Sequence, residues 1–411
     1  LPISDFRLPI GYYLLPIARC LLLIAYCQLL IFQMKVLHII SIDGIGGAEK
    51  LLLDLLPAIL KQGIQAECLI LHKPNNKDAI VTGNNLTSKG VTVFYQSYQK
   101  ILDRSLSVAV MNLINAGNYD LIHSHLKYSD LLLSRLKRSS RLKLPLVTTV
   151  HGYRDDYHSR YGLQFRRKIF LSPYYWVTKY IYKKIDGFIF ISEGVKDLIE
   201  AAGLLWEKPF TIAHNGYDTH RVKERNSGQT VLSAPRIALP GRLVGFKGHT
   251  YAIQAMKTIL QTMPGATLQI YGQGPDENKL KEQTSNLGLN KQVFFSGHVN
   301  DLPQHLQTCD LALIPSIGEP FGIVFLDCFA AGLPVVAFDL PAGNEIIKDD
   351  FNGSLAKPLD TSDLSQKVID LCKDPGQRER IITNAYAKLK EAFSIEGMAG
   401  KYISFYKTFT Q

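Results

Sequence analysis

At 411 residues the chain is too long for one ordinary hydrophobic core and reads as two domains, each able to bury its own. Its composition is that of a soluble globular protein. Six scattered cysteines (Cys20, Cys27, Cys68, Cys309, Cys328 and Cys372), none closely paired at metal-ligand spacing, read as reduced core residues in a reducing compartment. The net charge of +10 is unevenly spread: 13 Lys or Arg between Arg135 and Lys184 face only Asp155 and Asp156, so that segment carries +11 and the remainder −1. A single basic surface points to an anionic partner.

Residues 1–33 are expected to be a leader outside the fold, with Met34 as the natural start. Leu21 to Phe32 is only 12 residues of largely apolar sequence and contains Gln28, short of a spanning length, so a membrane anchor is the alternative. From Val36 onward, short apolar runs (Val36 to Ile40, Ala66 to Leu71, Val91 to Tyr95, Asp120 to His123, Leu146 to Val150, Gly187 to Ile191) alternate with helical patterns. That alternation predicts a parallel sheet wrapped by helices.

The first crossover, Gly44 to Lys50, carries Gly46 and Gly47, where a ligand could approach bare backbone at a helix start. A tight turn would explain one or two of its glycines, and the spacing is not the full dinucleotide fingerprint. His151-Gly152 follows the fifth strand, at the end where parallel sheets bind ligands; His123 and His125 follow another strand end with no role fixed. Tyr153 to Tyr182 is dense in aromatic rings interleaved with the basic cluster, which suits either an anionic membrane leaflet or a solvated helix pair. No groove-reading or stacking module supports nucleic acid. Ser192-Glu193-Gly194 is a helix start, Thr211 to Asp218 a strand and turn, and the polar stretch Val222 to Pro235 an interdomain linker.

The second half repeats the alternation, with strands expected at Arg236 to Pro240, Thr267 to Tyr271, Val293 to Ser296, Leu311 to Ile314 and Val335 to Phe338. Arg242 and Lys247, set among glycines after the first of these, can clamp a diphosphate, or be a plain surface pair of cations. Gly272 and Gly274, and Gly297-His298-Val299, mark turn-rich strand ends. The stretch from Pro315 to Gly332 is the most informative. A buried strand runs into a loop with Glu319, Pro320, Phe321 and Gly322, then a helix carrying Asp327. Its two acids bracket a helix N-terminus that suits a diphosphate. Alternatively, Glu319 is a capping loop residue and Asp327 lies on a solvated face.

This stretch resembles the Glu, seven residues, Glu signature of glycosyltransferase family four, retaining nucleotide-sugar enzymes of the GT-B fold. Asp327 stands here where the family has the second Glu. The resemblance runs from Met34 to the C-terminus. It implies an α/β fold of two Rossmann-like domains facing across a cleft, with residues 34–215 as the acceptor side, 216–394 binding the donor, and 395–411 returning as a helix to the first domain. By the same resemblance, Arg242 and Lys247 bind the donor phosphates, Glu319 and His151 hold the donor sugar, and Asp327 faces the ribose. Gly46 and Gly47 lie against the diphosphate. Gly272, Gly274, His298 and Val299 line the base pocket, while Asn215, Phe321 and Gly322 complete the donor side.

The activity expected is sugar transfer from a nucleoside diphosphate donor to a glycan or lipid-linked acceptor, as in lipopolysaccharide or other cell-surface glycan synthesis. Neither cofactor nor metal is expected, and the location is cytoplasmic or peripheral on the inner membrane face. The rival readings are a nucleotide-sugar epimerase or hydrolase of the same shape, and a non-catalytic membrane-binding scaffold, for which Asp327 is the hint.

Overall fold

The computed structural model describes residues 34–44, 46–101, 103–152, 172–219 and 230–410. The expected leader, residues 153–171 of the basic aromatic segment, and residues 220–229, which include 222–229 of the expected linker, lie outside the described residues.

The first unit is a parallel sheet of strands β1 (Lys35–Ile42), β2 (Gln65–His72), β3 (Thr92–Ser97), β4 (Leu121–His125), β5 (Leu146–Val150), β6 (Gly187–Phe190) and β7 (Phe210–Ile212). Their order is β3-β2-β1-β4-β5-β6-β7. β4, β5 and β6 are buried along their whole length because helices cover both faces, so β5 and β6 show no strict polar–apolar alternation, while β4 carries His123, Ser124 and His125 into the interior. The second unit holds β8 (Arg236–Pro240), β9 (Thr267–Tyr271), β10 (Val293–Gly297), β11 (Leu311–Ile314), β12 (Val335–Phe338) and β13 (Ser354–Ala356). Its order is β10-β9-β8-β11-β12-β13, again parallel. The three-residue β13 is the strand that hydrophobic patterning does not announce.

Both sheets reverse their strand order beside the first strand: β1 lies between β2 and β4, and β8 between β9 and β11. At such a point, successive crossovers leave to opposite faces and a crevice opens beyond the carboxyl ends of the strands. The loops leaving β8 and β11 are those that carry Arg242 with Lys247, and Glu319.

The Ile395–Tyr406 helix is capped by Ser394, whose Oγ accepts from Gly397 N at 3.1 Å, and packs on the Gly47–Lys61 helix of the first unit. Two of its rings, Tyr402 and Tyr406, are fully buried there, each burial worth on the order of 3 kcal/mol. Their hydroxyls reach the sheet: Tyr406 Oη lies 2.5 Å from His123 Nδ1 and Tyr402 Oη 3.1 Å from Thr149 Oγ1. Tyr406→Phe keeps the ring and removes the partner that His123 Nδ1 has among the described residues. It should lower unfolding free energy by about 1–3 kcal/mol, read as a shifted urea midpoint with an unchanged slope.

Candidate active site

Backbone hydrogen bonds join the carboxyl-end loops of the second sheet into one floor. Leu243 N donates to Gln273 O at 3.0 Å, Gly272 N to Gly297 O at 2.7 Å, and Ile317 N to Phe246 O at 2.7 Å. Gly248 makes the last approach possible. It sits at φ 73°, and a Cβ there would lie 1.8 Å from Pro315 O. With the β8 and β11 loops so close, Lys247 Nζ donates to Glu319 Oε2, and both side chains are largely buried. Arg242 stays exposed on the same loop. Gly322, at φ 89°, turns the chain into the Ile323–Ala330 helix, whose N-terminus has no side-chain cap; a Cβ on Gly322 would meet Phe325 at 2.6 Å. Asp327 is the fifth residue of that helix and half-buried.

The first unit supplies the facing wall. A Cβ on Gly152 would stand 3.1 Å from Pro320 Cγ, so the end of β5 touches the Glu319 loop directly. His151, Gly152 and Pro320 line a cavity of about 390 Å³ together with Tyr174, Tyr182 and Leu198. Asp130 lines the same cavity and accepts from Thr148 Oγ1 at 2.7 Å; burial raises its carboxyl from the ordinary 3.8 to about 6. Burial also pushes the His151 imidazole down to about 3, so it is neutral at physiological pH.

Further contacts hold the two walls together. Ser192 Oγ donates to Pro320 O, and Glu345 Oε1 accepts from Glu193 N at 2.8 Å and pairs with His214 Nε2 at 2.6 Å. Phe321, 2% exposed, stacks on His214 with ring centroids 5.5 Å apart, so it reaches the crevice only through its backbone. Asn215 is likewise buried, beside the Gly216 N to Met398 Sδ contact of the crossing helix.

Gly46 caps the Gly47–Lys61 helix, its N–H donating to Glu49 Oε2 at 2.8 Å, and a Cβ on Gly47 would meet nothing within 4 Å. His298 is exposed and Val299 half-buried after β10. No described contact ties Gly46, Gly47, His298 or Val299 to Glu319.

Parallel register brings together three histidines of which two are far apart in the sequence from the third. His38 of β1 pairs with His123 of β4, and ligand atoms of His38, His123 and His125 lie within 4.8 Å of one another. The rings stack face to face, at 4.3 Å for His123 on His125, instead of converging on a point. Of their six nitrogens only His38 Nε2 lacks a partner among the described residues.

Two family models match this chain in succession: Glycosyltransferase Family 4 over residues 45–221 and Glycosyl transferases group 1 over residues 220–388. The chain belongs to this glycosyltransferase family. An uncharacterized glycosyltransferase of Methanocaldococcus jannaschii is 28% identical over 308 residues, covering 72% of this chain and 77% of the relative. The lipopolysaccharide core biosynthesis glycosyltransferase LpsE of Rhizobium meliloti is 25% identical over 224 residues, 54% of this chain and 64% of that one. In fold, this glycosyltransferase is similar to Anabaena HepE solved with UDP, at TM-score 0.74 and 22% identity, covering 91% of this chain and all of that one. The architecture is GT-B.

Sequence reading of this glycosyltransferase passed over His38 and Asp130 and gave His214 no role of its own, while the Gly343 to Ile347 loop that carries Glu345 parallels a family loop near the Glu319 acid. The alternation of β-strand side chains would have placed His123 and His125 on one face, but only strand order sets His38 beside them. Asp130 yields a pH test. Its folded pKa is raised, so its stabilising contribution is complete below the unfolded value of 3.8 and lost as pH rises through about 6. Asp130→Asn should therefore match the parent at pH 4 and exceed it above pH 6.5 by on the order of 2–3 kcal/mol in denaturant unfolding.

Proposed function

We propose that this glycosyltransferase moves a sugar from a nucleoside diphosphate donor to an acceptor hydroxyl, with retention at the anomeric carbon. The observation that carries the reading is the meeting of Lys247 with Glu319 at the strand-order reversal of the second sheet, under the β5 end that bears His151. Breaking the glycosidic bond leaves an oxocarbenium-like sugar and a diphosphate. Lys247, Arg242 and the uncapped N-terminus of the Ile323–Ala330 helix supply fixed positive charge where that diphosphate gathers. As a diphosphate oxygen draws Lys247, Glu319 is released to accept from sugar hydroxyls. The acceptor hydroxyl attacks from the leaving-group face, and the departing phosphate takes its proton. Metal-independence follows from the same charges, and neither metal nor cofactor is assigned a step. UDP in the HepE structure supports a nucleotide donor.

Turnover of a panel of nucleotide sugars, followed by mass spectrometry with and without chelator, tests the reading. Transfer should survive the chelator, and Lys247→Ala should lower kcat by about 10²–10³-fold. Sugar release without acceptor would support a hydrolase instead. Absent turnover restored only by Asp327→Glu would support the scaffold.

For the acceptor we propose a cell-surface glycan or lipid-linked glycan met on the cytoplasmic membrane face; similarity to LpsE supports it. Among the described residues no helix is long and apolar enough to cross a membrane. On the Pro173–Tyr182 helix, however, Trp176 is 56% exposed, with Lys179 Nζ 4.9 Å from its ring centre. Basic heads beside exposed aromatics suit an anionic leaflet. Binding to phosphatidylglycerol vesicles should fall several-fold in W176S/K179S and at high salt, and be unmeasurable on phosphatidylcholine.

A further inference from the structure

Three imidazoles run in single file from the cleft into the first sheet. His151 Nε2 lies 3.1 Å from His125 Nδ1, and His125 Nε2 lies 3.0 Å from His38 Nδ1. The file ends blind: His38 Nε2 is buried with no hydrogen-bond partner among the described residues. A second network holds the file from the side. His123, fixed at Nδ1 by Tyr406 and at Nε2 by Thr149 Oγ1 2.8 Å away, stacks on both His125 and His38. Burial keeps all four rings neutral, with His38 down to about 3, so each ring carries one proton on one nitrogen.

Each of the two contacts needs a donor on one side and a lone pair on the other, so the three tautomers are locked together and only two arrangements exist. In one, every ring is protonated at Nε2 and the chain ends in a buried N–H with no acceptor. In the other, every ring is protonated at Nδ1 and the chain ends in a buried lone pair. An orphaned N–H is the rarer and costlier of the two in protein interiors. We propose that His38 and His125 are positioning residues that hold His151 in its Nδ1–H tautomer, so that His151 offers the cleft a hydrogen-bond donor and no base. Its ligand is then an acceptor oxygen, of a sugar hydroxyl or a phosphate. That last step rests on the sugar-transfer reading; the tautomer itself does not.

The direct test needs no donor sugar. Long-range proton–nitrogen correlation spectra of the ¹⁵N-histidine-labelled full chain, with His151 assigned by its loss in His151→Asn, should show Nδ1 protonated and unchanged from pH 5.5 to 8. Protonation at Nε2, or titration in that range, overturns the proposal even if transfer activity is found. Conversely, the expected spectrum stands if no nucleotide sugar is turned over. His125→Gln can still donate to His151 Nε2 and should keep both the tautomer and KM for the donor sugar identified in the screen. His125→Leu cannot, and should give a mixture of tautomers with KM raised about tenfold and kcat less affected. Equal KM effects in the two variants would mean that His125 only fills space, and would refute the assignment.

Discussion

Close approach between loops at the carboxyl ends of β8 and β11 is the constraint from which the rest of the site follows. Both loops leave strands that are neighbours only because the order of the sheet reverses there. The 2.7 Å bond from Ile317 N to Phe246 O fixes their separation, and Gly248 permits it. At that separation a lysine and a glutamate cannot avoid each other, and their burial makes the pairing strong enough to define the centre of the crevice. A cation and a carboxylate are thus held side by side at the carboxyl ends of the second sheet.

The first unit depends on a return contact. Its sheet ends in buried histidines whose nitrogens, His38 Nε2 apart, find partners among the described residues; Tyr406 of the last helix provides one directly, and Tyr402 bonds Thr149, which holds another. The helix that closes the second unit's chain is therefore structural for the first unit's active-site wall. Glu345, His214, Ser192 and the Phe321–His214 stack do the corresponding work at the Glu319 loop. Phe321 and Asn215 both sit in the motif neighbourhood, yet both side chains are buried.

The cavity behind His151 carries a different balance. Its walls are mostly aromatic and aliphatic, yet Asp130 stands among them with a carboxyl that burial makes reluctant to ionise. Stability is given up at that position under neutral conditions, as is common where a fold keeps a polar group for use and not for packing. On the neighbouring Pro173–Tyr182 helix, Tyr175 and Tyr182 are buried while Trp176 is exposed, so the rings divide between core and surface.

Several features needed no coordinates. Alternating apolar runs were enough for two parallel sheets, because most strands buried on both faces are rich in apolar residues. The spacing from Arg242 to Lys247 and from Glu319 to Asp327, each directly after such a run, placed the charged groups at carboxyl ends. Tertiary structure alone decided what those groups meet. Lys247 and Glu319 are 72 residues apart, and His38 and His125 are 87 apart; local sequence carries no information about which strands become neighbours. Strand order is settled by crossover packing over the whole sheet. For that reason the histidine file, the Glu345 latch and the Tyr406 contact are properties of the fold and not of any motif.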